Sequence, residues 1–178
     1  METFAEARKF VNHPSFEHDR RSVLSGLSLK KIDAPIRDII KTMGKMSYCF
    51  TLQCCYGHFV WDEELDPHNL AILPLKYQGQ FRYRIAYLAF CVEKSAKGTS
   101  LRDRLAALRD IDKEYVQFGS PCWFWQQYPN TYALQVEPRR FALKDEALLG
   151  HAEALHVQSV RDIFYQRVRE LVVDLIVK

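Results

Sequence analysis

Two neighbouring thiols and an imidazole, Cys54, Cys55 and His58, fall within five positions of one another in a run that otherwise reads as buried strand. Thiolate and imidazole are good zinc ligands. The chain offers no Cys-x-x-Cys, and no His pair near these residues, to complete a tetrahedral set. Adjacent residues of an extended strand also face opposite sides, so Cys54 and Cys55 cannot both turn to one ion. The expectation is therefore buried, reduced thiols and no metal. A second chemistry open to the same residues is nucleophilic catalysis, with His58 as the cation that favours the Cys55 thiolate. No residue is assigned a catalytic role from the sequence alone.

Other candidates are polar residues embedded in apolar strands: Thr51, Gln53, Glu93, Gln135 and Glu137. A buried amide or carboxyl must find hydrogen-bond partners, and a ligand is one source of them. Thr51-Leu-Gln-Cys54 and Ala133-Leu-Gln-Val136 each place a glutamine after a leucine, so the two amides could share a sheet face. Together these groups could line a pocket that orients a small ligand. The segment from Cys122 to Tyr128 carries Trp123, Phe124, Trp125 and Tyr128, which either stack on a base or fill core. Phosphate and dinucleotide loops are absent: there is no G-x-G-x-x-G, no G-x-x-x-x-G-K, no H-E-x-x-H and no G-x-S-x-G.

The stretch Asp33-Ala-Pro-Ile-Arg-Asp-Ile-Ile40 followed by Thr51-Leu-Gln-Cys-Cys-Tyr-Gly-His58 resembles a helix, strand and turn near the N-terminus of the wybutosine-synthesis tRNA methyltransferases. In that family the turn reads Thr-Thr-Ser-Ser-Cys-Ser-Gly-Arg. Thr51, Cys55 and Gly57 match it, His58 stands in place of the arginine, and Gln53, Cys54 and Tyr56 replace the serines. The resemblance implies S-adenosylmethionine as cofactor, methyl transfer by positioning alone, and a tRNA or small nucleotide-like ligand as partner. The ligand-binding candidates are Thr51, Gln53, Cys54, Cys55, Tyr56, Gly57, His58, Gln135 and Glu137. A non-catalytic binding protein for a small molecule or RNA, with the same fold, is the alternative, and a Cys55/His58 thiol enzyme is a third.

The elements that must hold these residues follow from periodicity. Helices are expected over residues 3 to 12, from Ser15 to about Leu27, and from Asp33 to Gly44, where Ile36, Ile39, Ile40 and Met43 make one apolar stripe. Tyr48 to Cys55 reads as a strand, with Tyr48, Phe50, Leu52 and Cys54 on one face and Cys49, Thr51, Gln53 and Cys55 on the other. Phe59 to Trp61 reads as a second strand, and residues 62 to 80 as a loop. Phe81 to Glu93 reads as one long strand. A helix then begins at Thr99 or Ser100, short strands are expected at Tyr115 to Phe118 and Thr131 to Glu137, and a long helix runs from about Asp145. Arg161, Arg167, Arg169, Glu170 and Asp174 fall on the solvent side of that helix.

These pieces imply a single α+β domain, with a mixed or mainly antiparallel sheet covered by helices and a long C-terminal helix. The 178 residues suit one domain. Lys and Arg exceed Asp and Glu by only 25 to 22, an excess too small to announce nucleic-acid binding. The apolar runs are too short for a membrane span. The five cysteines, odd in number, suit reduced thiols in a cytoplasmic protein. Oligomeric state is not encoded in any pattern of this kind.

Overall fold

The computed structural model describes residues 4–142 and 144–177. Among them are eight strands and five α-helices: β1 (Phe4–Ala5), α1 (Phe16–Gly26), α2 (Arg37–Met43), β2 (Cys49–Cys55), β3 (His58–Val60), β4 (Gln80–Arg84), β5 (Ala86–Val92), α3 (Ala96–Ala106), β6 (Val116–Pro121), α4 (Cys122–Gln127), β7 (Thr131–Val136), β8 (Glu146–Gly150) and α5 (His151–Val177). The class is α+β, and every pairing among the described residues is antiparallel.

Five strands form one sheet in the order β1-β6-β7-β5-β2, and three form another in the order β3-β4-β8. The two sheets share a ribbon. β2 pairs with β5, and β3 pairs with β4, so the chain changes sheet twice at the same level. It does so between Cys55 and His58 on one strand and at Ile85 on the other.

The expected long strand from Phe81 to Glu93 is therefore two strands. The positions that enter the main core are Phe81, Tyr83 and Ile85, then Ala86, Leu88, Phe90 and Val92, so the inward face changes parity at the bend, while Ala89 and Cys91 are buried on the opposite face. β2 also departs from simple alternation, through a register shift between Thr51 and Gln53. Thr51 pairs with Phe90 on the core side. Gln53 pairs with Ala89 and Cys55 with Tyr87, on the opposite side of the sheet. Gln53 thus lies on the face of Phe50, which pairs with Cys91, and not on that of Thr51.

The main core lies between the five-stranded sheet and its helical cover. Ile36, Ile39, Ile40 and Met43 enter it beside Val157, Val160, Phe164, Val168 and Val172 of α5 and Leu101 and Leu105 of α3. The stripe read from 36 to 43 is thus buried, although its first turn is a 3-10 turn over Ala34–Ile36. On the other face of the sheet, α1 covers only one end, where Phe16 packs on Phe50 and Cys91. The remaining end of that face is open.

Three further expectations differ from the fold. Residues 3 to 12 are not a helix where described: Phe4 and Ala5 pair with Pro121 and Ser120, and Arg8 N–H donates to Ser120 Oγ. Glu146–Gly150 is a strand, with Ala147 and Leu149 buried and its other positions exposed, so α5 starts at His151. α3 starts at Ala96, capped by Ser95, whose Oγ accepts from Gly98 N–H at 3.1 Å. The aromatic segment forms α4, with Trp125 buried and Trp123 exposed. Among the described residues no helix is long and apolar enough to cross a membrane.

Candidate functional site

The open end of the five-stranded sheet is the floor of a cleft of about 510 Å³. Its floor and near wall carry Gln53, Cys55, Tyr87, Ala89, Ala133 and Gln135. Around it lie Lys31, Asp33, Cys54, His58 and His68, then Arg84 and Ile85 with their partners Glu146 and Asp145, and Pro121, Phe124, Ala142 and Lys144. Gln53 and Gln135 meet there because the bulge in β2 turns Gln53 toward Ala89, while β7 pairs Gln135 with Tyr87. Tyr87 Oη donates to Gln53 Oε1 at 3.3 Å. Gln135 Oε1 is buried with no hydrogen-bond partner among the described residues.

The bend at Tyr56 and Gly57 forms the cleft's edge. Gly57 has φ of 91°, and a Cβ there would lie 2.8 Å from Tyr83 Oη and 2.9 Å from Ala86 Cβ. Only glycine meets both conditions. The bend is held from behind by α5. Arg161 Nη1 donates to the Gly57 carbonyl at 2.9 Å, its guanidinium lies 4.2 Å from the centre of the Tyr56 ring, and Tyr165 Oη donates to the carbonyls of Cys55 and Tyr87. Arg161 is thus buried, against the expectation of a solvent position. Its planar cation finds a carbonyl, the Asp162 carboxylate and two aromatic faces, which together replace water.

At the centre of the edge, Asp33, Cys55 and His58 place one oxygen, the sulfur and one ring nitrogen all within 4.8 Å of one another. His58 Nδ1 lies 2.8 Å from the Asn69 carbonyl, an acceptor only, so Nδ1 carries a proton. Nε2 then faces Asp33 Oδ2 at 3.2 Å. Tyr56 N–H donates to the same oxygen at 2.8 Å, and Gly57 N–H donates to Cys55 Sγ at 3.4 Å. Burial opposes protonation of His58, yet hydrogen bonds with Asp33, Cys55 and Asn69 outweigh it and raise its pKa to about 10. For Asp33, burial pulls upward and is outweighed by its bonds to His58 and the Tyr56 amide, which hold it below the usual carboxylate range. Burial, with Asp33 and Cys55 nearby, pushes the Cys54 thiol up to about 12.

Of the residues read from the sequence, Gln53, Cys54, Cys55, His58 and Gln135 line the cleft. Thr51 does not: it is buried on the core side, where its hydroxyl points at Met43 Sδ. Tyr56 and Gly57 shape the edge from below, with Tyr56 Oη donating to Asp162 at 2.8 Å. Glu137 does not line the cleft: it is fully buried, and neither carboxylate oxygen has a partner among the described residues. Burial and then the nearby Asp145 raise its pKa to about 8.

Asp33 is the site residue that sequence reasoning assigned elsewhere, as a helix cap. Its side chain makes no cap bond and turns to Tyr56 and His58 instead. Lys31, Arg84, Lys144 and Asp145 also escaped notice, because charged residues in turns and at strand ends carry no signal of a shared location.

No family model matches this sequence, and no curated protein matches it. Among solved structures the fold is similar to that of the PH1069 protein from Pyrococcus horikoshii, at 14% identity and a TM-score of 0.48, over 90% of this chain and 92% of that one.

Proposed function

We propose that this chain binds a small nucleotide-like ligand in the cleft, with S-adenosylmethionine the first candidate and methyl transfer in tRNA modification the reaction that the resemblance of residues 33–61 implies. The observation that carries the binding reading is the convergence of Gln53 and Gln135 on one sheet face, with the Gln135 Oε1 acceptor buried and unpartnered among the described residues. An amide pair of this kind suits the donor and acceptor edge of a base. Phe124 and Tyr87 offer apolar surface for a flat ring, and Lys31, Arg84 and Lys144 offer charge for an anionic group. The volume falls in the range of about 300–1,000 Å³ that takes ligands of this size. A cytoplasmic setting belongs to the same proposal, supported by five free cysteines.

Thermal-shift measurements with S-adenosylmethionine, S-adenosylhomocysteine and nucleoside mono-, di- and triphosphates test it, because a ligand specific to the native state raises the melting temperature by mass action. Gln53→Ala and Gln135→Ala should reduce the shift while leaving the unliganded melt nearly unchanged. If no compound of these classes shifts the wild-type chain, the proposal fails.

A second reading, a thiol enzyme, is favoured by one observation, the approach of Cys55 Sγ to the His58 imidazole. A thiolate paired with an imidazolium is a competent nucleophile. Its mark is faster alkylation of Cys55 than of Cys122, lost in Cys55→Ser.

A further inference from the structure

The geometry points to a divalent transition-metal site, suited to zinc, formed by Asp33, Cys55 and His58 with its remaining coordination position open to the cleft. This goes beyond the ligand reading and does not depend on which ligand the cleft takes.

Spacing supplies two of the donors. Cys55-Tyr-Gly-His58 is a C-x-x-H turn, and the positive φ of Gly57 folds it so that sulfur and ring nitrogen face the same side. Asp33, 22 positions earlier than Cys55, is brought to them by the segment leading into α2. The separation of His58 Nε2 from Asp33 Oδ2, 3.2 Å, is close to the edge of a tetrahedron whose bonds are about 2.0 Å long, which is roughly 3.3 Å. Thiolate, imidazole and carboxylate are all zinc ligands, and three protein donors with one open position is the pattern of zinc sites that act on substrates.

The surrounding bonds fit the donors' roles. The Asn69 carbonyl fixes the proton on Nδ1 and leaves Nε2 to bind, as an outer-shell carbonyl does for a metal-bound histidine. Asn69 is itself fixed, its Nδ2 donating to the carbonyls of Phe59 at 2.7 Å and Asp66 at 2.6 Å. Gly57 N–H points at Cys55 Sγ at 3.4 Å and orients it. Tyr56 N–H holds the Asp33 carboxylate in place. A dication with one thiolate, one carboxylate and one neutral imidazole is a neutral assembly, so its partial burial is not opposed by net charge. Without a cation, a proton on Nε2 must take that place between nitrogen and carboxylate. Cys54 is excluded as the sulfur ligand, since it pairs with Leu88 on the core side of β2.

The test uses the full chain, stripped with chelator and titrated with Zn²⁺ against a chromophoric competitor, and in parallel with Co²⁺ by absorbance. One ion per chain is expected, with a near-ultraviolet thiolate-to-cobalt charge-transfer band and visible bands of tetrahedral intensity. Cys55→Ser should abolish the charge-transfer band and weaken zinc binding by more than about 100-fold. Asp33→Asn should weaken zinc binding and retain the band. Cys54→Ser should leave both unchanged, and circular dichroism of each variant reports folding separately. Absence of stoichiometric uptake, or uptake indifferent to Cys55→Ser, overturns the inference. Nucleotide and S-adenosylmethionine binding by the metal-free chain is measured separately, so failure of the metal site leaves the ligand proposal standing and the converse holds. Bound zinc should also protect Cys55 from alkylation, which a free nucleophilic thiol would not be.

Discussion

Replacing Glu137 by glutamine should change how stability depends on pH. Glu137 is fully buried, its two oxygens have no partner among the described residues, and its pKa stands at about 8 against 4.5 for a free glutamate. Between those values the folded chain keeps the proton and the unfolded chain has lost it. The native state then binds more protons, so stability falls as pH rises through this window, and levels off above about 8. The ceiling on the loss is about 4–5 kcal/mol, from about 1.4 kcal/mol for each pH interval of one, and relaxation or water entry near a bare carboxylate reduces it to roughly 2–4 kcal/mol. The carboxylates held low by partners, Asp38 by Arg169 and Glu153 by Arg140, act on the acid side of the window and do not overlap it. His58, raised to about 10, also contributes stability that is lost as pH climbs, so the wild-type curve alone is not decisive. The difference between wild type and Glu137→Gln removes that shared contribution. Urea denaturation at pH 5 to 9 should show the wild type losing ground to the variant steadily from about pH 5 to 8. A difference constant within about 0.5 kcal/mol, or one that grows in favour of the wild type, would mean that Glu137 is ionised and partnered, and would refute the reasoning.

Ile39→Ala, at a position 1% exposed in the seam between α2 and its neighbours, should destabilise by roughly 2–5 kcal/mol in denaturant melts, and a loss under about 0.5 kcal/mol would remove it from the core. Gly57→Ala combines a strained φ with a Cβ 2.8 Å from the Tyr83 hydroxyl, so it should cost at least about 1–3 kcal/mol and weaken zinc and ligand binding together; near-neutral stability would show that the bend can relax. Arg161→Met leaves the Gly57 carbonyl without its donor and should destabilise by about 1–3 kcal/mol, whereas Arg167→Met, on the exposed side of α5, should fall within about 0.5 kcal/mol of wild type.

What could be read from the sequence was whatever burial writes into periodicity. Ile36 to Met43 and the stripe from Val157 through Val172 each bury the positions that their spacing selects, and the strand read from Thr131 is present. The failures occur where two patterns meet. Ile85 and Ala86 are consecutive buried residues, a change of phase that marks the sheet crossing, yet the run around them is strand-like throughout and reads as one element. Ala147 and Leu149 alternate with exposed neighbours, a strand signal masked by its continuity with α5. Asp33 is a favoured cap residue at a plausible helix start, so the sequence alone does not separate that role from site chemistry. Arg161 sits among charged neighbours on a long helix, and nothing local distinguishes the one that turns inward.

The bend itself explains why so many polar groups gather at this edge, and it separates those the fold requires from those it does not. Where β2 passes into β3 and β4 into β5, backbone groups lose ladder partners, and buried N–H and C=O groups must be satisfied by other means. Each is met by a specific group: Tyr56 N–H by Asp33, Gly57 carbonyl by Arg161, Cys55 carbonyl by Tyr165, Ala86 N–H by Tyr83, and Ile85 N–H by the Asp145 carbonyl. Arg161, Tyr165 and Tyr83 therefore have a sufficient reason in the architecture, and Asp33 has half of one. Of the Cys55 thiol, the His58 Nε2 and the amides of Gln53 and Gln135, only the thiol meets a backbone group of the bend, the Gly57 N–H at 3.4 Å, and apolar side chains at these places would spare the chain their desolvation. It is these four side chains, with the second role of Asp33, that the cleft's chemistry has to account for.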